Sequence, residues 1–126
     1  MLQTAVSAYQ SVDKETMSGR ETEARVLTKG ALKLVACQKN WDSPDRNALL
    51  DEALKYNQRI WSLFQTEISK KENPLPKQIK HNILALSRFI DQRIFDTMAF
   101  PEPQKLDIII KINNNIAAGL RGSSSE

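Results

Sequence analysis

The sequence predicts an all-α protein folded as a single small bundle of about four helices. Apolar residues recur every three or four positions in four separate segments. No segment shows the sustained apolar–polar alternation of a half-buried strand. Proline-containing breaks at 74–76 and 101–103 separate the later segments, and connections this short favour antiparallel neighbours.

The composition indicates a soluble, single-domain protein spanning residues 1–126. Hydrophobic residues make up 40% of the chain and charged residues 26%, which suits a buried core. Residues 1–17 lack clear periodicity and predict a loose leader. No apolar run approaches the roughly 20 residues needed to cross a bilayer, and no signal peptide is evident. With a single cysteine, we expect a cytoplasmic protein without a membrane partner.

The first helix is expected to begin at Ser18-Gly19-Arg20-Glu21, which has the spacing of a capping box. It continues to about Asn40. Gly30 interrupts it at a cost of up to about 1 kcal/mol relative to alanine, which suggests close packing against a neighbouring helix. Its apolar stripe consists of Ala24, Leu27, Ala31, Leu34 and Val35.

The second helix is expected to begin at Ser43-Pro44, a favoured N-cap before a proline at the first helical position. It ends at Lys70 and Lys71, before the proline-rich break. One face carries Leu50, Ala53, Leu54, Asn57, Trp61, Phe64 and Ile68.

The third helix is expected from Pro76 to about Met98, and the fourth from Leu106 to Leu120. Gly122 stands where a left-handed C-terminal cap would lie, and residues 122–126 predict a frayed tail. The apolar stripe of the third helix is Ile79, Ile83, Leu86, Ile90 and Ile94; that of the fourth is Leu106, Ile109, Ile110, Asn113, Ile116, Ala117 and Leu120.

Catalytic chemistry finds little support in the sequence. His81 has no metal-ligating residue three or four positions away, so a helical metal pair is not expected. Cys37 lies at the edge of an apolar stripe, where a buried cysteine behaves as a small hydrophobe. We expect no enzyme, no catalytic or metal-binding residue and no cofactor.

Two asparagines interrupt apolar stripes. Asn57 lies in the middle of the second helix's stripe, and Asn113 does the same in the fourth. A buried amide without partners costs about 1–3 kcal/mol, so each must find hydrogen bonds. We expect both to be enclosed and to fix the register between helices; the alternative is a polar contact with a partner.

Further apolar residues lie outside the core stripes. Such residues, when contiguous, often mark interaction sites. Either the bundle buries them or a partner helix covers them. They are Leu49, Tyr56, Ile60 and Leu63 on the second helix, and Leu84 and Phe95 on the third.

Basic residues form a stripe on the first helix at Arg25, Lys29 and Lys33. Residues 70–93 are also mainly basic, including Lys77, Lys80 and Arg88. Either set could contact phosphates of a nucleic acid. The simpler interpretation is a solvated helix face with ordinary ion pairs such as Glu21–Arg25.

Several stretches resemble the FlaF family of flagellar biosynthesis regulators found in alphaproteobacteria. They are Ala8-Tyr9-Gln10, residues 53–61 with Asn57 and Trp61, Leu86 with its apolar neighbours, and residues 112–120 with Asn113, Gly119 and Leu120.

The resemblance implies a cytoplasmic, non-enzymatic protein that promotes flagellin synthesis or secretion. We expect it to bind flagellin as a chaperone-like factor, anchored by Tyr56, Ile60 and Leu63. The alternative is a translational regulator that acts through FlbT, which the family opposes, or through flagellin messenger RNA.

Overall fold

The computed structural model describes residues 13–122, and it confirms the predicted all-α fold. The helices are α1 (Asp13–Lys39), α2 (Arg46–Ser69), α3 (Lys77–Ala99) and α4 (Asp107–Arg121), with a short 3-10 helix at Pro103–Leu106. No strand occurs within residues 13–122. Gly122 ends α4 with a φ of 79°, so the predicted left-handed cap is confirmed.

The predicted start of the first helix is wrong, because α1 already includes Ser18 and extends back to Asp13. No proline or glycine precedes Ser18 within 13–17, and Lys, Glu and Met are good helix formers. The helix therefore continues through the apparent capping box. Residues 1–12 of the predicted leader, Tyr9 among them, and 123–126 of the predicted tail lie outside the described residues.

The predicted cap of the second helix is also displaced. Residues 43–45 form a turn in which the Asp45 amide donates to Ser43 Oγ at 3.1 Å. The helix begins only at Arg46, with Asp45 in the N-cap position and no side-chain capping bond. Serine hydroxyls bond backbone amides two residues on in such turns, which compete with helix capping.

The helices pack in the spatial order α4–α1–α2–α3. α1 packs against α4 on one side and α2 on the other, while α3 packs against α2. The core holds residues from every helix; its largest fully buried side chains include Trp61, Leu27, Leu34, Leu54, Ile90, Ile94, Leu106 and Ile109.

A buried amide network joins α1, α2 and α4, as the sequence predicts for Asn57 and Asn113. Both residues have no exposed surface. Trp61 Nε1, which is a donor only, donates to Asn113 Oδ1 at 3.0 Å and so fixes the orientation of that amide. Asn113 Nδ2 then donates to Asn57 Oδ1 at 2.7 Å and to the Leu27 carbonyl at 3.1 Å.

Asn57 completes the network by donating to two backbone carbonyls. Its Nδ2 lies 3.1 Å from the Gly30 oxygen and 2.8 Å from the Ala53 oxygen. All four amide hydrogens of the two asparagines are thereby used. The network ties α1, α2 and α4 together at one level of the bundle.

Gly30 makes this contact possible, which confirms the predicted close packing. A Cβ at this position would lie 2.5 Å from Asn57 Oδ1 and 3.0 Å from Asn113 Nδ2. Real Cβ atoms do not approach polar atoms so closely, so a glycine is required for the two amides to reach the α1 backbone.

Candidate functional site

The residues predicted as partner contacts differ in their exposure. Leu49 and Leu63 are 37% and 36% exposed, and Phe95 is 75% exposed. Tyr56 and Leu84 are half-buried. The sequence-based hypothesis that these residues contact a partner stays a prediction.

The prediction that Ile60 anchors a partner needs correction, because this side chain is buried in the core and offers no surface to a partner. α2 packs against α1 on one side and α3 on the other. Its buried arc is consequently wider than the single stripe that the periodicity predicts, and Ile60 falls within that arc.

Tyr56 lies under the predicted basic stripe. The ammonium groups of Lys29 and Lys33 lie 5.8 and 5.2 Å from the centre of its ring. Burial raises the pKa of Tyr56, while Lys33 opposes that rise. The tyrosine and the two lysines therefore already contact one another.

The basic stripe also carries ion pairs. Arg25 lies 3.4 Å from Glu21, and Lys33 lies 3.1 Å from Glu52. These contacts agree with the solvated-face interpretation, although Arg25 and Lys29 keep exposed surface that could meet phosphates.

His81 is exposed and Cys37 is buried, as the sequence predicts. Burial raises the pKa of the Cys37 thiol, with a further rise from Glu52, which favours the unreactive protonated form. Among residues 13–122 no group of three or more His, Cys, Asp or Glu side chains is arranged to hold a metal ion.

A groove with mainly apolar walls lies between α3 and α4. Its volume is about 420 Å³, within the usual range for ligand and side-chain pockets. α1 and α2 also contribute lining residues. The apolar lining consists of Phe64, Ile68, Leu75, Ile79, Ile83, Ile116 and Leu120.

The connection between α2 and α3 forms one end of this groove. Asn73 Nδ2 donates to the Glu67 carbonyl at 3.3 Å, and Asn73 Oδ1 accepts from the Leu75 amide at 3.0 Å. Lys80 Nζ donates to the Lys70 carbonyl at 3.1 Å and so fastens the start of α3. These bonds place Leu75 on the groove wall.

The predicted position of Ile79 also needs correction. The periodicity places it in the core stripe of the third helix, but it is 42% exposed on the groove wall. Because α3 packs mainly on α2, with a smaller contact to the 3-10 helix, no second long helix covers its first half. Within 77–86 no side chain is fully buried, whereas Ser87, Ile90, Ile94 and Thr97 are.

Glu23 is the polar residue that the sequence analysis missed. It lines the groove from α1, is only 9% exposed, and has a pKa raised to about 7. Burial is the main cause; Arg20 opposes the rise and Glu67 adds to it. Its position four residues before Leu27 and seven before Gly30, on the inner face of the helix, was the available signal.

Comparison with known protein families matches residues 5–120 to "Flagellar protein FlaF". This match covers nearly the whole chain and confirms the resemblance carried by the asparagine motifs. The chain belongs to the FlaF family. Comparisons with curated proteins and with solved structures give no match.

The residues on which the resemblance to FlaF rests have structural positions in this fold. Asn57, Trp61 and Asn113 form the buried network, and Gly119 and Leu120 line the groove. In the described part of the chain, no helix combines the length and apolar character that a membrane span requires.

Proposed function

We propose that this FlaF-family protein acts in the cytoplasm, where it promotes flagellin synthesis and secretion by binding the flagellin chain as a chaperone-like, non-enzymatic factor. Family membership supports a flagellar role. The groove between α3 and α4 supports a binding role, and it is the observation on which the proposal depends.

The groove fits the apolar face of an amphipathic helix. Seven apolar side chains line it, and Ile79 and Leu75 still contact water in the free protein. Burying a fully exposed side chain of this kind contributes about 1.5–3 kcal/mol, and covering the part that is still exposed contributes a share of that. A helix laid in a groove with apolar residues at every third or fourth position is a common recognition mode. We take a terminal amphipathic helix of flagellin as the occupant.

The groove is a better candidate than the surface predicted from the sequence. Ile60 is buried, and Tyr56 is already covered by two lysines. Leu63 and Phe95 are exposed, and exposed apolar side chains are common on protein surfaces.

Co-purification tests the proposal most simply. The tagged full-length protein is isolated from cells that make flagellin but lack FlbT. We expect flagellin to co-elute, and to stay bound in high salt, because apolar contacts are not screened by ions. Absence of flagellin from the eluate, with a folded protein at micromolar concentration, would reject the proposal.

A second candidate function is translational regulation through FlbT or flagellin messenger RNA. The exposed Arg25 and Lys29 favour it, since they lie on one face of α1. Binding to the flagellin leader transcript would then weaken steeply with added salt. Absence of binding at low salt would remove the RNA version and leave FlbT as the remaining target of this second candidate.

A further inference from the structure

We propose that the segment bound in the groove carries a lysine or arginine within its apolar face, and that Glu23 binds this cation. The inference rests on the proposed function, because it names the chemistry of the partner that the same groove takes. Glu23 is thus a specificity-determining residue of the groove.

The environment of Glu23 is the first observation. Its side chain is nearly excluded from water in a groove whose walls are apolar. Arg20 and Glu67 are the charged groups that act on its carboxylate. A buried carboxylate is stable only when it is paired or neutral, so a partner that supplies a charge-assisted hydrogen bond gains more here than at an exposed glutamate.

The charges around Glu23 are the second observation. Arg20 lies on its own helix, and Glu67 faces it from α2. Glu67 is paired with Lys70 at 3.1 Å, and Lys80 of α3 contacts the Lys70 carbonyl. The groove-lining residues of α3 and α4 carry no charge.

These positions give the groove a different charge from the rest of the molecule. Two carboxylates and one guanidinium line it, although the whole chain carries a net charge of +3. A cation on the bound segment complements this local excess of carboxylates over basic groups. The methylene stem of a lysine or arginine also packs against isoleucine and leucine walls while its charged end reaches the carboxylate.

The pH dependence of binding follows from the pKa of Glu23, which is about 7 in the free protein. A cation binds the ionised carboxylate, so affinity rises with pH until Glu23 is deprotonated. Between pH 6 and pH 8 the ionised fraction of a group with this pKa increases about tenfold. A segment that brought a neutral or acceptor group to Glu23 would give the opposite slope.

The test is calorimetric titration of the full-length protein with flagellin purified from the same bacterium, at pH 6 and pH 8. We expect wild-type affinity to be about tenfold higher at pH 8. Glu23→Gln, which keeps the shape but removes the charge, should bind more weakly at pH 8 and show little pH dependence. Glu52→Gln, an exposed carboxylate outside the groove, is the control and should behave as wild type.

Two synthetic helical peptides separate this inference from the proposed function. They share a leucine stripe and differ only in a central lysine or glutamine. We expect the wild-type protein to bind the lysine peptide at least several-fold more tightly than the glutamine peptide. The Glu23→Gln variant should bind the two peptides equally. Flagellin binding that ignores Glu23, together with equal binding of the peptides, would overturn the inference and leave the proposed function standing.

If flagellin does not bind but the lysine peptide does so through Glu23, the proposed function fails and the cation site stands. Sedimentation gives the remaining outcome. A dimer of the free protein that Ile79→Asn dissociates would mean that a second copy closes the groove, and the inference would be rejected.

Discussion

At the scale of single residues, the two asparagines explain most about how this sequence specifies its fold. Trp61 fixes the orientation of Asn113, Asn113 fixes Asn57, and Asn57 contacts the backbone of Gly30. Every donor in this chain of contacts has an acceptor, so the polar groups do not destabilise the core. A shift of one helix by a single residue would leave several of them unpaired.

Replacement of Asn113 by leucine should destabilise the protein. It would leave the Trp61 indole N–H and Asn57 Oδ1 without partners in the core, at about 1–3 kcal/mol for each group. Urea unfolding measures the change in free energy, and Asn114→Leu on the exposed side of α4 is the control. If Asn113→Leu lowered the free energy of unfolding by less than the control does, the network would contribute nothing to stability.

Gly30→Ala should also destabilise, although alanine is the better helix former by up to about 1 kcal/mol. The added methyl would collide with Asn57 Oδ1. The double variant with Asn57→Ala should be less destabilised than the sum of the single variants, because the colliding oxygen is gone. Strict additivity in a double-mutant cycle would contradict this explanation.

Glu23 should make stability depend on pH. Its folded pKa of about 7 lies above the ordinary value of 4.5, so the fold favours the neutral acid. As pH rises from 4.5 to 7 the unfolded chain loses this proton first, and wild-type stability falls. Glu23→Gln should therefore be more stabilising at pH 8 than at pH 5, by roughly 1–3 kcal/mol. Urea unfolding at the two pH values tests this, and an unchanged difference would contradict it.

At the scale of elements, α3 packs mainly on α2, with a smaller contact to the 3-10 helix. Its second half buries Ile90 and Ile94, while its first half borders the groove. The linker bonds of Asn73 and Lys80 hold its start in place. The first half is thus the part of the bundle best suited to adjust to a bound segment.

Hydrogen exchange should reveal this difference within α3. We expect amides at 80–86 to exchange faster than those at 90–98, because few buried contacts oppose local opening there. Amides at 54–64 of α2 provide the protected reference. Equal protection along α3 would show that the groove wall is as rigid as the core.

Local patterns in the sequence predicted the helices well where chain breakers mark their ends. Pro76 marks the start of α3 and Gly122 the end of α4, and both helices lie close to the expected positions. The helix starts predicted at Ser18 and Ser43 were wrong, because each serine resembles an N-cap but has no strong helix breaker before it. The burial of Asn57 and Asn113 was predictable, since their stripes left no other orientation.

The groove was not predictable from periodicity. A single stripe on each helix assumes one packing partner, but α2 packs on two long helices and α3 mainly on one. Ile60 was therefore proposed as a partner anchor and is buried, while Ile79 was placed in the core stripe and is exposed. Only the packing order of the helices decides which apolar residues remain uncovered.

At the scale of the whole molecule, the order α4–α1–α2–α3 leaves the two outer helices apart and an apolar groove between them. The amide network ties α1, α2 and α4 together, so three of the four helices that line the groove are firmly held and the first half of α3 is the adjustable wall. This arrangement supports the proposal that a FlaF-family protein shields a helix of flagellin before export.

Affinity for flagellin in two matched variants tests this central claim most directly. Ile79→Asn alters the groove wall, and Phe95→Asn alters an exposed apolar residue of the same helix that does not line the groove. Both side chains are exposed, so both variants should keep the wild-type melting temperature. Calorimetry should show at least about tenfold weaker binding for Ile79→Asn, which corresponds to loss of roughly one buried side chain, and no change for Phe95→Asn. Weaker binding for Phe95→Asn with no effect of Ile79→Asn would contradict the account.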